Sequence, residues 1–449
     1  MGGEHYLPLT PDDREKMLEA IGAASVEELF SDIPQKLRLD KLLQLPPPLS
    51  EPEAYKHISS LAGKNISLND MPSFLGGGVY DHFVPAIIKH ITGRSEFYTS
   101  YTPYQPEISQ GVLQAIFEYQ TMLCMLTGMD VANASMYDGG TAVAEAAIMG
   151  CGATRRSKVL VSRSVSPFYR HVMESYFRSR GLPLEEIPLR DGQTDLAAME
   201  KAIDSDVAAV VLQQPNFFGL VEELTGVSDL VHEHKAVLVA AVDPLSLPLL
   251  KAPVEYGVDI AVGEGQGLGV PPTFGGPLLG FIAAREKFIR QMPGRIAGET
   301  VDVEGNRAYV LTLQTREQHI RREKAASNIC SNEALVALAA SVYMAALGPA
   351  GMREVAELCL QKSAYAREKI TAIKGYDLLF DGSYFKEFPL SVPGDPAKIN
   401  EELIRHGIIG GLDLSSYYPE LDPAMLVAVT ENRSREEIDR FVSELEGWK

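Results

Sequence analysis

Two continuous apolar runs, 208–212 and 236–242, stand among segments whose apolar residues recur at helical spacing. Runs without polar alternation belong to strands covered on both faces, hence to a mostly parallel sheet with helices on either side. The periodicity predicts a long amphipathic helix over 109–126 ended by Gly128, helices over 141–151 and around 169–180, and a strand over 158–162 between them. This alternation is α/β organisation. Beyond Pro349 the order changes. A long helix over 352–373 leads to short strands near 378 and over 389–392, a helix near 399–406, a strand over 425–430 and a last helix capped by Ser434 and Glu437. That is a small α+β domain of about a hundred residues.

The N-terminal stretch patterns differently. Thr10 and Pro11 open a helix that Gly22 closes, Ser25 with Glu28 caps another, and Pro46, Pro47 and Pro48 stop regular structure. Helices that short enclose no core, so they are expected to pack on something else. The expected division is a helical arm over 1–75, a large domain over 76–348 and the small domain over 349–449. The apolar stretch 334–347 is shorter than the ~20 residues a membrane span needs and reads as a core helix. Residues 1–10 lack the basic and apolar regions of a signal peptide.

The 449 residues are 45% hydrophobic and 22% charged, which excludes a disordered or fibrous chain. A net charge of −19 argues against nucleic acid and anionic membrane as partners. One segment departs from that background: residues 285–324 hold nine Lys or Arg against six Asp or Glu. It reads either as an attraction for an acidic protein partner or as a solvated helix face with internal ion pairs. Cys124, Cys151, Cys330 and Cys359 have no C-x-x-C spacing and lie in apolar stretches, so buried reduced thiols and a cytoplasmic location are expected. The nine histidines show no metal-ligand spacing, no metal site is expected, and His232 and His234 read as solvated.

Candidate chemistry begins at Gly139-Gly140-Thr141, which lead straight into a helix. Free N–H groups at a helix start make an anion site, most usefully for phosphate, although the same residues also make a plain cap. Asp243 directly follows the run 236–242, and a carboxylate there either holds the pyridine nitrogen of pyridoxal phosphate (PLP) or forms an Asx turn before Pro244. Together these suggest the aminotransferase-like fold of PLP enzymes, which need a Schiff-base lysine some tens of residues later. None occurs between Lys251 and Lys287, where the expected loop reads Gly263-Glu264-Gly265-Gln266-Gly267-Leu268-Gly269. The pocket is expected to keep its shape and lack its nucleophile. Gly76-Gly77-Gly78 reads as a tight turn rather than a phosphate loop. The segment 97–105, with Tyr98, Tyr101, Tyr104 and Gln105 stiffened by Pro103 and Pro106, has the composition of an interface loop; the alternative is a surface loop with its rings turned inward.

Longer strings carry a resemblance. They are Tyr101-Thr-Pro-Tyr104-Gln105-Pro-Glu107-Ile-Ser-Gln110-Gly111, Ala132-Asn133-Ala134-Ser135 ahead of Asp138-Gly139-Gly140-Thr141, Gly275-Gly276-Pro277, Leu313 to Arg322 and Ser327-Asn328-Ile329-Cys330. On these the chain resembles, over essentially its whole length, the glycine decarboxylase (P-protein) family of the glycine cleavage system, in the branch split into two subunits. The resemblance implies a PLP-dependent fold type I large domain with an N-terminal arm and a small C-terminal domain. It implies decarboxylation of glycine, with the aminomethyl group passed to the lipoyl arm of H-protein. It also implies an α2β2 assembly in which the second subunit holds PLP covalently. This chain then supplies no catalytic residue, a vestigial pocket (Gly139, Gly140, Thr141, Asp243) and a loop (Tyr98, Tyr101, Tyr104, Gln105) facing the partner's site. Ser166 falls near where the family's cofactor-binding copies carry an aromatic ring or His. Two rival readings stand beside it, a self-sufficient PLP enzyme acting on another amino acid and a purely structural scaffold.

Overall fold

The computed structural model describes residues 8–39, 41 and 43–448. The chain divides into two compact units, 1–66 and 67–449. In the first unit, α1 (Pro11–Ile21) starts at Thr10, whose hydroxyl accepts the Asp13 N–H, and ends at Gly22 in the left-handed region. Ser25 does accept the Glu28 N–H, but only the 3-10 turn Glu27–Phe30 follows, since Pro34 lies too close for a full helix. A helix not foreseen, α2 (Glu51–Ala62), is capped by Ser50 and Glu53. Neither helix buries a residue, and Met17, Ile21, Ile58 and Leu61 are exposed.

The second unit is built on a seven-stranded sheet. Its strands are β1 (Val131–Ala132), β2 (Lys158–Ser162), β3 (Leu184–Ile187), β4 (Val207–Gln214), β5 (Val237–Val242), β6 (Ile260–Glu264) and β7 (Gly280–Ala284), in the order β1-β7-β6-β5-β4-β2-β3. β7 is antiparallel to both its neighbours, β1 and β6, and every other pair is parallel. The helices are α3 (Gln110–Thr127), α4 (Gly139–Thr154), α5 (Pro167–Arg180) and the long α6 (Ala334–Thr371). Along β5, Leu238, Ala240 and Val242 join Tyr119 and Leu123 of α3 and Tyr343 of α6 in one core cluster. Val237, Val239 and Ala241 join Ala142 and Ala147 of α4 and Phe177 of α5 in another. Both faces of the strand are therefore dry, which is why its sequence does not alternate.

Length and apolarity would let α6 cross a membrane, but it is interrupted at Gly348 (φ 59°, ψ −177°) and buries Ala337, Ala340, Tyr343, Ala356 and Ala366 in the protein. It is a core helix. A hairpin, β8 (Ile296–Val301) with β9 (Arg307–Thr312), precedes it. The C-terminal part carries a four-stranded antiparallel sheet, β10 (Asp377–Leu378), β11 (Glu387–Ser391), β12 (Leu412–Asp413) and β13 (Ala424–Ala428), ordered β10-β11-β13-β12, with α7 (Pro396–Arg405) and α8 (Arg435–Gly447). Phe74 stacks on Phe441 of α8 with ring centres 4.0 Å apart. Residues 67–75 consequently belong to the second unit, and the arm ends at 66 rather than 75.

Two readings of single residues change. Of the four thiols, all free, only Cys359 is buried as expected; Cys124 and Cys151 are half-buried and Cys330 is exposed. His232 is not simply solvated: its Nε2 lies 2.7 Å from Oδ2 of buried Asp259, which also accepts the Leu238 N–H of β5.

Candidate functional site

Beyond the carboxyl ends of β5 and β6 lies a pocket walled by Tyr80, Ser166, Tyr169, Gln213, Asp243, Glu264, Lys386 and Glu387. Open α/β sheets bind ligands at this place. Of the residues expected there, Asp243 is present, with one carboxylate oxygen accepting the Leu245 N–H at 3.0 Å as in an Asx turn. Its other oxygen lies 2.7 Å from Nζ of Lys386. A lysine does enter the pocket, then, from the C-terminal sheet and not from the loop where a Schiff-base lysine would sit. It is at the wrong end, seated on the carboxylate that would hold a pyridine nitrogen.

Gly139, Gly140 and Thr141 form the first turn of α4. Asp138 caps it: its carboxylate accepts the Thr141 N–H at 2.7 Å, while the Thr141 hydroxyl accepts the Asp138 N–H at 3.2 Å. The Gly139 N–H donates to Glu264 at 2.9 Å. Glu264 also accepts from the backbone of Gln266 at 2.9 Å and Leu279 at 2.8 Å. The acceptor at this helix start is therefore the protein's own carboxyl group. Burial pushes it up to about 7, against the lowering effect of its three N–H donors.

Lys386 is 2% exposed. Its ammonium lies 3.5 Å from the centre of the Tyr80 ring and 3.1 Å from Nε2 of His82. An ammonium has only donors, so Nε2 accepts and the His82 proton sits on Nδ1, donated to Glu431 at 2.6 Å. Burial opposes ionisation of Glu431, but the bond to His82 and the Phe83 N–H prevail and bring it down to about 2. Cys359 lies 3.3 Å from the same carboxylate, its thiol pushed up by burial. His82, Cys359 and Glu431 are close enough to hold a metal ion. Yet an ion there would displace the Nδ1 proton and the thiol proton beside an ammonium, so hydrogen bonding accounts better for the group. Glu387 completes the wall, accepting the Gly77 N–H at 2.6 Å and the Tyr80 hydroxyl at 2.7 Å; burial pushes it up to about 7. A Cβ at Gly76 would stand 2.1 Å from Glu387, so the glycine run serves this close approach.

The tyrosine loop is elsewhere. None of its residues lines the pocket. Tyr98 and Gln105 are exposed, and Tyr101, 77% exposed, has its hydroxyl 3.0 Å from that of Ser331. Buried Arg295, which the sequence reading missed, donates to the Tyr104 hydroxyl at 2.7 Å and to Thr102 at 3.2 Å. Of the basic segment, Lys287, Arg295, Arg307 and Arg316 are engaged within the protein. Among the described residues, the side chains of Arg290, Arg321, Arg322 and Lys324 have no hydrogen bond or ion pair.

Residues 4–445 match the family described as glycine cleavage system P-protein. The chain belongs to that family. Among its relatives, the "probable glycine dehydrogenase (decarboxylating) subunit 1" of Moorella thermoacetica is 57% identical over 98% of this chain and 99% of that one. The protein of the same description from Listeria monocytogenes is 51% identical over all of both. A crystal structure of glycine decarboxylase (P-protein), in inhibitor-bound form, superposes with a TM-score of 0.90 at 43% identity, covering 98% of this chain and 99% of that one. A Burkholderia pseudomallei sphingosine-1-phosphate lyase, at 15% identity and TM-score 0.65 over 91% of this chain and 92% of its own, shares the fold. That fold is PLP fold type I.

PLP does not fit this P-protein chain's own pocket. Its phosphate would contest the α4 N-terminus with Glu264, and its ring nitrogen would contest Asp243 with Lys386. About 40 Å³ of space remains between them, against the ~300–1,000 Å³ of ordinary ligand pockets.

Proposed function

We propose that this chain is the subunit of glycine decarboxylase that supports a PLP site without holding one. In the assembled enzyme PLP, carried on a lysine of the second subunit, accepts the electrons released as glycine loses carbon dioxide, and the aminomethyl group passes to the lipoyl arm of H-protein. The observation that carries this reading is the Glu264 carboxylate on the α4 N-terminus: a chain of the P-protein family whose cofactor seat is filled by its own side chain needs a partner that holds the cofactor. Its own residues then serve to build an interface. Arg295 and Ser331 brace the 97–105 loop, on which Tyr98 and Tyr101 stand exposed, a surface suited to a partner. An α2β2 assembly in the cytoplasm agrees with free thiols and with a first unit whose helices bury nothing.

The test is reconstitution. The chain alone is expected to give no glycine–bicarbonate exchange with added PLP, and to recover it with the lysine-bearing second subunit. A borohydride-reducible absorption band mapped to a lysine of this chain would instead establish the self-sufficient enzyme.

A further inference from the structure

We infer that Glu264 and Lys386 are built-in substitutes for the two charged ends of a pyridoxal phosphate, and that removing the Glu264 carboxylate uncovers a latent site for a phosphate monoester. This deepens the proposed function, resting on the reading of the pocket as one shaped for the cofactor.

The argument is one of charge and position. A phosphate at a helix N-terminus is held by N–H donors and the end of the dipole. At α4 those same groups face Glu264, which gathers the N–H of Gly139, of Gln266 and of Leu279 within 2.9 Å. Capping alone does not require this, because Asp138 and Thr141 already cap the helix reciprocally. The opposite end of the pocket repeats the arrangement with signs exchanged. A pyridinium would bring a positive N–H to Asp243, and Lys386 brings an ammonium there at 2.7 Å. The Tyr80 ring covers that ammonium.

A third observation points to the space between. Ser166 is 2% exposed, lines the cavity, and its hydroxyl has no hydrogen-bond partner. A buried hydroxyl left unsatisfied in a cavity wall is a group that a ligand entering the cavity can pair. Two residues from different parts of the chain thus reproduce the charges of one ligand, and the intervening wall keeps an orphaned donor.

The experiment uses the isolated full chain and two probes, inorganic phosphate and pyridoxal phosphate, with unphosphorylated pyridoxal as control. The wild type is expected to show no ligand-dependent change in Tm. Glu264→Ala should gain a saturable rise with inorganic phosphate, about 3 °C at a hundredfold excess over Kd, and none with pyridoxal, while pyridoxal phosphate should act fully only when Lys386→Met also frees Asp243. An equal response of wild type and variant, or none in the folded variant, overturns the inference. Should the variant not fold, hydrogen exchange on the wild type decides. The Gly139 amide, at a helix position whose N–H is ordinarily free, must be protected like the interior of α4; rapid exchange there rejects Glu264 as its ligand. None of these readings involves the second subunit or turnover. A complex without glycine–bicarbonate exchange would remove the proposed function and leave this inference standing.

Discussion

Lys386 carries the most consequence of any one side chain, because Asp243, His82 and the Tyr80 ring all face its ammonium. Lys386→Met leaves Asp243 without its counter-charge in a largely closed space. Unfolding in urea should show a loss of about 3 kcal/mol, and Asp243→Asn in the same chain should return part of it. A single variant as stable as wild type would show the pair to be idle. The buried carboxyls give a second expectation. Glu264 and Glu387 stand at about 7 in the folded chain, above the ordinary 4.5. The native state therefore holds their protons more tightly, and the stability this adds is complete below pH ~4.5 and lost as pH rises through ~7. Between about pH 5 and 8 unfolding free energy should fall, and Glu264→Gln should remove about half of the slope these two groups contribute. An unchanged slope would mean that Glu264 is ionised throughout. Neither residue's part was legible beforehand: Glu264 sat in a loop noted for the lysine it lacks, and Lys386 reaches Asp243 only because β11 packs beside a sheet more than a hundred residues earlier in the chain. Asp243 and the Gly139 helix start were legible, since strand end and cap are local patterns.

Elements were legible in proportion to their length. The helices α3, α4 and α5 stood out by period and the strands β2, β4 and β5 as short apolar runs, while β3 carries two glutamates and β6 and β7 each contain a glycine, so none of these three forms a pure apolar run. They become strands by pairing with neighbours, which is information beyond any local window. The break in α6 was marked by Pro349. At Gly348 the backbone enters a region that only glycine occupies freely, with nothing within 4 Å of an added Cβ. Gly348→Ala should cost about 1–3 kcal/mol of stability through backbone strain alone, seen as a lowered Tm with an unaltered spectrum at room temperature. The 97–105 loop is the element whose function is open to direct measurement. If the exposed Tyr101 hydroxyl reaches the partner's site, Tyr101→Phe should slow glycine–bicarbonate exchange by the reconstituted enzyme about 5- to 150-fold at equal PLP content. A rate near wild type would leave Tyr101 with packing against Ser331 only.

For the whole molecule, charge is unevenly spent. Against a net −19, Arg321 and Lys324 stand exposed and unpaired beside a cavity of about 530 Å³ that Arg180 and Arg290 also line. If this face meets H-protein, Arg321→Glu with Lys324→Glu should lower the association rate of the assembled enzyme about tenfold at low salt, and the difference should shrink as salt is added. Equal rates at every ionic strength would place the contact elsewhere. The closed seat on α4 reaches further than the molecule. A subunit that folds around its cofactor gains stability with every rise in the cofactor's concentration, and becomes scarce when the supply fails. Here a glutamate encoded in the gene fills that seat, so the chain should fold as well from a cell starved of vitamin B6 as from a replete one, with the same Tm.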